Sequence, residues 1–282
     1  MVKFSLIIAV YNRVHLLRKS LIALKNQSIF PDELILSDDG SDEDIKGGIL
    51  EIVKDLSFPV KIVRQEHKGF RLARCRNNSV KASSGDFLIF FDQDVIHTEN
   101  YIQTFIQNRK EKRFLTAYPI RLTEKQSENI TEDCISKYDF NRFLLPEQKI
   151  KIKKQFFKDY ISFVGRKLLL VKNKPKIRGG FCAINRQDYL NVNGYDEKFI
   201  GWGNEDDDIR RRLYKSGVYG FNPFYNEYPI HLYHEPFHKD GKRVNKDYNL
   251  QQIKKINEGE FYCKYGYDNP LDDAEVEVIN LN

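Results

Sequence analysis

Two acidic clusters have residue types and spacings that could do chemistry. In Phe91-Asp92-Gln93-Asp94-Val95 two aspartates stand at i and i+2. On an extended strand such residues point the same way, so at a strand end they can present oxygens to one hard cation, or to a cation and a ribose hydroxyl. A lone pair of this kind arises by chance about once in a chain this long; its place directly after Leu88-Ile89-Phe90 gives it weight. The second cluster is Gly201-Trp202-Gly203-Asn204-Glu205-Asp206-Asp207-Asp208, followed by Ile209 and three arginines, and it holds the single Trp of the chain. Acids in a first helical turn are stabilised by the helix dipole by ~0.3–1 kcal/mol each, and Asp207–Arg211 and Asp208–Arg212 have the i,i+4 spacing of ion pairs. Successive residues step about 100° around a helix axis, so the four carboxylates cannot all be satisfied along it, and some must face inward. A Trp ring between glycines suits stacking on a sugar face, with small neighbours that let backbone approach.

Two further motifs belong with these. Asp38-Asp39-Gly40-Ser41 reads either as a turn with a helix cap or as a carboxylate placed to accept from a base edge such as uracil N3–H. His231 and His234, beyond a strand-like run, could complete a cation site begun by Asp94. Carboxylate oxygen with imidazole suits Mn²⁺ better than Mg²⁺ or Ca²⁺.

The surrounding pattern says what must position them. The apolar runs Phe4–Val10, Glu33–Ser37, Val60–Gln65 and Phe87–Phe91 read as strands, buried on both faces where they are continuous. Segments of helical periodicity separate them, with Ser41 or Asp42 as the cap of the second helix. Strand–helix alternation means an α/β fold around a mostly parallel sheet with right-handed crossovers. Ligands of such sheets bind beyond the carboxyl ends of the strands, where Tyr11-Asn12, Asp38-Asp39 and Asp92-Asp94 converge. Residues 121–178 differ: strand signals fade and lysines accumulate. One helical face there gathers Phe157, Tyr160, Ile161, Val164 and Leu168, with lysines around it. The acidic end, Leu271 onward, reads as a loosely held tail.

With these motifs in view the chain resembles a known family. Ser5–Arg13, Glu33–Glu43, Gly69–Asn77 and Phe90–Val95 are similar to the nucleotide-sugar half of family 2 glycosyltransferases with the GT-A fold, a Rossmann-like sheet flanked by helices. Arg178–Leu213 and Tyr233–Pro236 resemble the acceptor half shared by β1,4-galactosyltransferases and bacterial chondroitin-type polymerases. The resemblance implies a nucleotide-sugar half over 1–120, a basic helical insert over 121–178, an acceptor and catalytic half over 179–245, and a C-terminal helix and tail over 246–282. It implies a donor site at Val10, Tyr11, Asp39, Arg71, Asp92 and Gly180. Asp94 and His234 would be metal ligands, with Asp92 and His231 as further candidates, and Mn²⁺ or Mg²⁺ as the cofactor. Trp202, Gly203 and Glu205 would bind sugar, and Asp206 would be the catalytic base. Asn204 stands where the family pattern has a glycine and is expected to alter the donor or acceptor fit. The implied reaction is inverting transfer of galactose or N-acetylgalactosamine from a UDP-sugar to a glycan or lipid-linked oligosaccharide, in bacterial surface polysaccharide synthesis. The alternative is an inactive sugar-nucleotide or glycan-binding module of the same fold, which would predict a broken acidic cluster.

Composition bounds the rest. The 282 residues carry a net charge of +6. Lys149 to Arg178 holds eleven basic residues and one acid, Asp159, and the remainder is slightly acidic. That pattern suits a basic face toward an anionic partner, such as a membrane surface, and argues against a nucleic-acid protein. Four dispersed cysteines with no CxxC give no disulfide framework or zinc site. A cytoplasmic protein, peripheral at the inner membrane face, is the expected location. Nucleotidyl transfer would need a glycine-rich phosphate loop after the first strand, and Ala9–Leu17 has none.

Overall fold

The computed structural model describes residues 2–167, 174–235 and 244–282. Its first half is the alternation read from sequence: β1 (Phe4–Val10), α1 (Val14–Lys25), β2 (Glu33–Asp38), α2 (Ile45–Val53), β3 (Val60–Gln65), α3 (Leu72–Ala82) and β4 (Phe87–Asp92). These four strands pair in parallel in the order β3-β2-β1-β4. Along β1, Leu6 and Ile8 pack into one apolar cluster and Ile7 into another. This is the period-2 alternation of a sheet covered on both faces. The cap of α2 is Asp44, whose Oδ1 accepts from the Gly47 N–H at 2.9 Å, and not Ser41 or Asp42. The Ser41 hydroxyl is taken by Asp38 Oδ1 (2.6 Å) and the Asn12 N–H (2.7 Å).

The chain continues through β5 (Val95–Ile96), α4 (Tyr101–Asn108), β6 (Arg113–Thr116), β7 (Ile120–Arg121), α5 (Glu124–Glu128), α6 (Glu132–Ser136), a 3-10 turn (Asp139–Phe143) and α7 (Pro146–Lys167). Then come β8 (Phe181–Asn185), α8 (Arg186–Leu190), α9 (Glu205–Lys215), β9 (Tyr219–Phe221), β10 (Ile230–His231), α10 (Lys246–Glu258) and β11 (Val276–Asn280). The full sheet runs β11-β3-β2-β1-β4-β8-β6-β9, with β8 and β11 antiparallel to their neighbours. A small second sheet, β5-β10-β7, carries His231 beside Val95.

One expectation needs correction. The acidic end is not a loose tail: β11 pairs with β3 from Val276–Gln65 to Asn280–Lys61. Before it, Asp272 binds Arg71 (3.1 Å) and Arg74 (2.6 Å). The apolar set on α7 shares a face as read from the sequence, and that face looks to solvent, with Phe157 49% and Ile161 66% exposed; Leu168 lies outside the described residues. What α7 turns inward is Ile152, Asp159 and Phe163. Asp159 is buried and accepts from Asn222 Nδ2 at 3.0 Å and Arg178 Nη1 at 3.4 Å, and Phe163 meets Phe221 at 4.9 Å.

Candidate active site

From β1 the sheet grows through β2 to β3, and the chain then returns to place β4 on the other side of β1. The carboxyl ends of β1 and β4 therefore flank a topological switch point, where open α/β sheets bind ligands. A cleft of about 860 Å³ opens there. Every candidate site residue read from the sequence lines it except Arg71.

Gln93, the residue between the two aspartates, ties the strand ends together. Its Oε1 accepts from the Tyr11 N–H at 2.9 Å, and its Nε2 donates to the Asn12 carbonyl at 2.9 Å. Tyr11 stacks on His67 with ring centroids 4.6 Å apart, which gives this end of the cleft an aromatic wall. Asp39 is buried beside it, and burial pushes its carboxyl above the ordinary range against the pull of the Arg71 N–H and Gln65 Nε2. Each Asp39 oxygen thus has one partner and keeps acceptor capacity. Arg71 serves this carboxylate through its backbone at 2.9 Å. Its guanidinium is turned to Asp272 and the Glu66 carbonyl, so it is not a cleft side chain.

Asp94, His231 and His234 are the one described group with ligand-type atoms all within 4.8 Å of one another. His234 Nε2 is 2.9 Å and His231 Nε2 3.6 Å from the Asp94 carboxylate. The Nδ1 atoms of His231 and His234 lie 2.8 and 2.9 Å from the carbonyls of Leu232 and Glu235. A carbonyl only accepts, so each Nδ1 carries a proton, and in the neutral ring the Nε2 lone pair is left facing Asp94. This is the second-shell arrangement that orients metal-ligating histidines. Asp94 Oδ1 is buried without a hydrogen-bond partner. Burial works to raise the Asp94 carboxyl, but the His234 hydrogen bond and the positive charge of the rings in their protonated form, with Arg13, outweigh it and hold it below the usual range. One carboxylate and two imidazoles fit a divalent transition ion better than Mg²⁺. Asp92 stands outside this group: its Oδ1 accepts from Arg76 Nη2 at 3.2 Å.

On the facing wall, the turn before α9 is strained in an informative way. Gly201, Gly203 and Asn204 all have positive φ, at 83°, 101° and 80°. Asn is among the few residues with a side chain that tolerate this region, which explains how it stands in the glycine position. Trp202 projects from this turn into the cleft and is 41% exposed. The four acids then separate around the axis. Asp208 points into the core and pairs with Arg212 at 2.7 Å, and Asp207 pairs with Arg210 at 3.1 Å, one residue earlier than expected. Glu205 and Asp206 face the cleft, and Asp207 lines it as well while paired with Arg210. Burial, with the Asp206 charge beside it, pushes the Glu205 carboxyl up to about 8, so it carries a proton at neutral pH. Asp206 is held by three donors: the Gly179 N–H to Oδ2 at 2.9 Å, and Arg76 Nη1 (3.1 Å) and Tyr195 OH (3.2 Å) to Oδ1.

Arg76 therefore bridges Asp92 and Asp206 from a buried position on α3. Reading the sequence did not single it out, because Arg71, Arg74 and Arg76 lie together and no local signal separates them. Gly179 and Gly180 fit between the bridged carboxylates. A Cβ on Gly180 would overlap the Asp92 carboxyl, and one on Gly179 would come within 2.9 Å of Asp206 Oδ2. Arg76→Lys keeps the charge but loses the planar fork that reaches both acids. It is expected to lower turnover by about a hundredfold through misplacement of Asp206, with a smaller loss of donor binding through the loosened Asp92. Steady-state rates set beside calorimetric donor binding check this; an equal fall in both would mean a general loss of the site.

Comparison with known proteins identifies the family and the fold. The family model described as Glycosyl transferase family 2 matches residues 5–191, and one described as N-terminal domain of galactosyltransferase matches residues 164–235. Chondroitin synthase of Escherichia coli is 25% identical over 233 residues, 76% of this chain and 32% of that protein. The chain thus spans about a third of that relative's length. Among solved structures, TarS of S. aureus in complex with UDP-GlcNAc superposes with a TM-score of 0.62 at 15% identity, over 94% of this chain and 68% of the other. GalNAc-T7 with UDP, GalNAc and Mn²⁺ gives 0.60 at 16% identity, over 90% and 48%. These likenesses show the GT-A fold, and the extent of the family match, from the first strand through the α8 region, shows that the chain belongs to the family 2 glycosyltransferases.

Proposed function

We propose that the chain is an inverting, metal-dependent transferase that moves galactose or N-acetylgalactosamine from a UDP-sugar to a glycan hydroxyl, in the assembly of a surface polysaccharide or lipid-linked oligosaccharide. One observation carries the reading: Arg76 ties Asp92, at the donor-side strand end, to Asp206, on the turn that carries Trp202. A nucleotide and an acceptor sugar would then meet in one cleft.

In this reading Tyr11 and Asp39 hold the uracil and Asp92 the ribose. Asp94, His231 and His234 hold Mn²⁺, which would neutralise charge on the departing diphosphate. Trp202 stacks on sugar and protonated Glu205 donates to a sugar hydroxyl. Asp206 Oδ1 is filled by two donors and Oδ2 by one, so Oδ2 keeps the site that can take a proton. The acceptor hydroxyl gives its proton to Oδ2 as its oxygen bonds to the anomeric carbon. The bond from that carbon to the diphosphate breaks on the opposite face, and its electron pair leaves with UDP. One displacement inverts the configuration. Similarity to a chondroitin synthase and to structures holding UDP-GlcNAc or UDP with GalNAc supports a UDP-sugar donor. The test is UDP release from a panel of UDP-sugars with Mn²⁺ present. Release with one or two of them, increased by a glycan acceptor, is expected. A protein that binds UDP yet releases none from any donor would be a binding module instead.

A further inference from the structure

The solvent side of α7 has the character of a surface meant to be covered. Ile150, Phe157, Ile161 and Val164 recur at intervals of seven, four and three, which aligns them in one stripe, and they are 53%, 49%, 66% and 38% exposed. Tyr160, 46% exposed, borders the stripe, and Tyr225 joins it from a loop, its ring 5.7 Å from Phe157. Lysines flank it on both sides: Lys149 and Lys153 on one, Lys151, Lys154 and Lys158 on the other. Along the helix the acids are Glu147, in the first turn, and Asp159, which faces the core. The stripe is therefore apolar at its centre and cationic along both edges, with Glu147 in the first turn the one exposed acid of the helix.

We propose that this face of α7 lies flat on an anionic lipid bilayer. Its aromatic and aliphatic residues would enter the headgroup–acyl boundary while the lysine stems reach back to the phosphates. Charge complementarity selects this occupant: the lysines on each edge are drawn to an anionic surface. A protein partner would instead need its own acids on both sides of a convex, single-helix ridge. Among the described residues no helix is long and apolar enough to cross a membrane, so the contact is peripheral. Asp159 fixes the roll of the helix. Its carboxylate binds Arg178 and Asn222 directly opposite the stripe, and Arg178 lines the catalytic cleft. The lipid-facing ridge and the cleft are thus joined through one partly buried ion pair, which would hold the cleft at a set height above the bilayer. The inference rests on the surface of α7 and is independent of the reaction proposed above.

The test is co-sedimentation of the full chain, at low salt, with vesicles of phosphatidylcholine alone and of phosphatidylcholine mixed with phosphatidylglycerol. Binding to the mixed vesicles that weakens as salt rises is expected, with little binding to phosphatidylcholine. The double variant Phe157→Ser, Ile161→Ser removes exposed groups, so its circular dichroism should match wild type, and it should bind the mixed vesicles at least about 10-fold more weakly. Lys154→Glu, Lys158→Glu should weaken binding in the same direction. Wild-type protein left free of both vesicle types, or a folded serine variant that binds as tightly as wild type, would overturn the proposal. So would a wild-type dimer that the serine variant converts to monomer, since a second copy would then cover the face.

Discussion

Asp206→Asn is expected to lower transfer by at least about a hundredfold, the range that positioned general-base catalysis supplies, while UDP binding stays as in wild type. The geometry says why the loss should be in chemistry. The Asp206 Oδ1 side receives two donors, one of them the Arg76 guanidinium, and the Oδ2 side receives the Gly179 N–H. An asparagine would keep its oxygen toward the two donors and turn its NH₂ to the Oδ2 position. The atom that should accept the acceptor's proton would become a donor. Side-chain volume and the tie to Arg76 are nearly preserved, so the cleft should hold its shape, and the local loss is the Gly179 N–H, which would face the new NH₂ without an acceptor. Asp207→Asn is the matched control: Asp207 is paired with Arg210 at 3.1 Å, and its loss should change turnover only a few-fold. Single-turnover rates with UDP affinity from calorimetry would separate the two variants. Equal rates for Asp206→Asn and wild type would remove Asp206 from the reaction.

The second large effect concerns the cation. Asp94→Ala should abolish the part of UDP binding that depends on Mn²⁺, so that the variant with Mn²⁺ binds UDP no better than wild type in chelator, a loss of at least about 10²-fold. Asp94 is the only member of its group that meets both imidazoles, and its Oδ1 is the buried oxygen without a partner. His234→Ala and His231→Ala should move in the same direction. The Nδ1–H of each is anchored on a backbone carbonyl, so each Nε2 is equally committed to the site. Titration of UDP with and without Mn²⁺ reads this without any turnover. Identical metal dependence in Asp94→Ala and wild type would place the cation elsewhere.

Much of this site was legible before the fold was known, for identifiable reasons. Polar clusters that close apolar strands must converge at the carboxyl edge of a parallel sheet, and that topological rule brought Tyr11, Asp39, Asp92 and Asp94 together. The acidic run could be divided in principle, because a helix cannot turn four successive carboxylates the same way. Arg76 was not legible. Its role comes from a helix that packs on β1, β2 and β3 and sends one guanidinium across to Asp92 at the end of β4, and three nearby arginines carry the same local signal. The orientation of α7 was hidden for a related reason. Periodicity tells which side chains share a face but not which face is buried, and here one acid, Asp159, bound by Arg178 and Asn222, decides it. The tail misled by composition: its charge reads as solvated, yet the alternation in Val276-Glu277-Val278 is that of a strand, and the open edge of β3 accepts it.

The most direct test of the central geometry is an anomalous-diffraction map from crystals grown with Mn²⁺ and UDP. The expected result is one strong peak bonded to Asp94 and to the Nε2 atoms of His231 and His234, with the diphosphate beside it and Asp206 across the cleft with room for a sugar between. A peak seated on Glu205 and Asp206 instead, or a nucleotide bound away from the ends of β1 and β4, would contradict it.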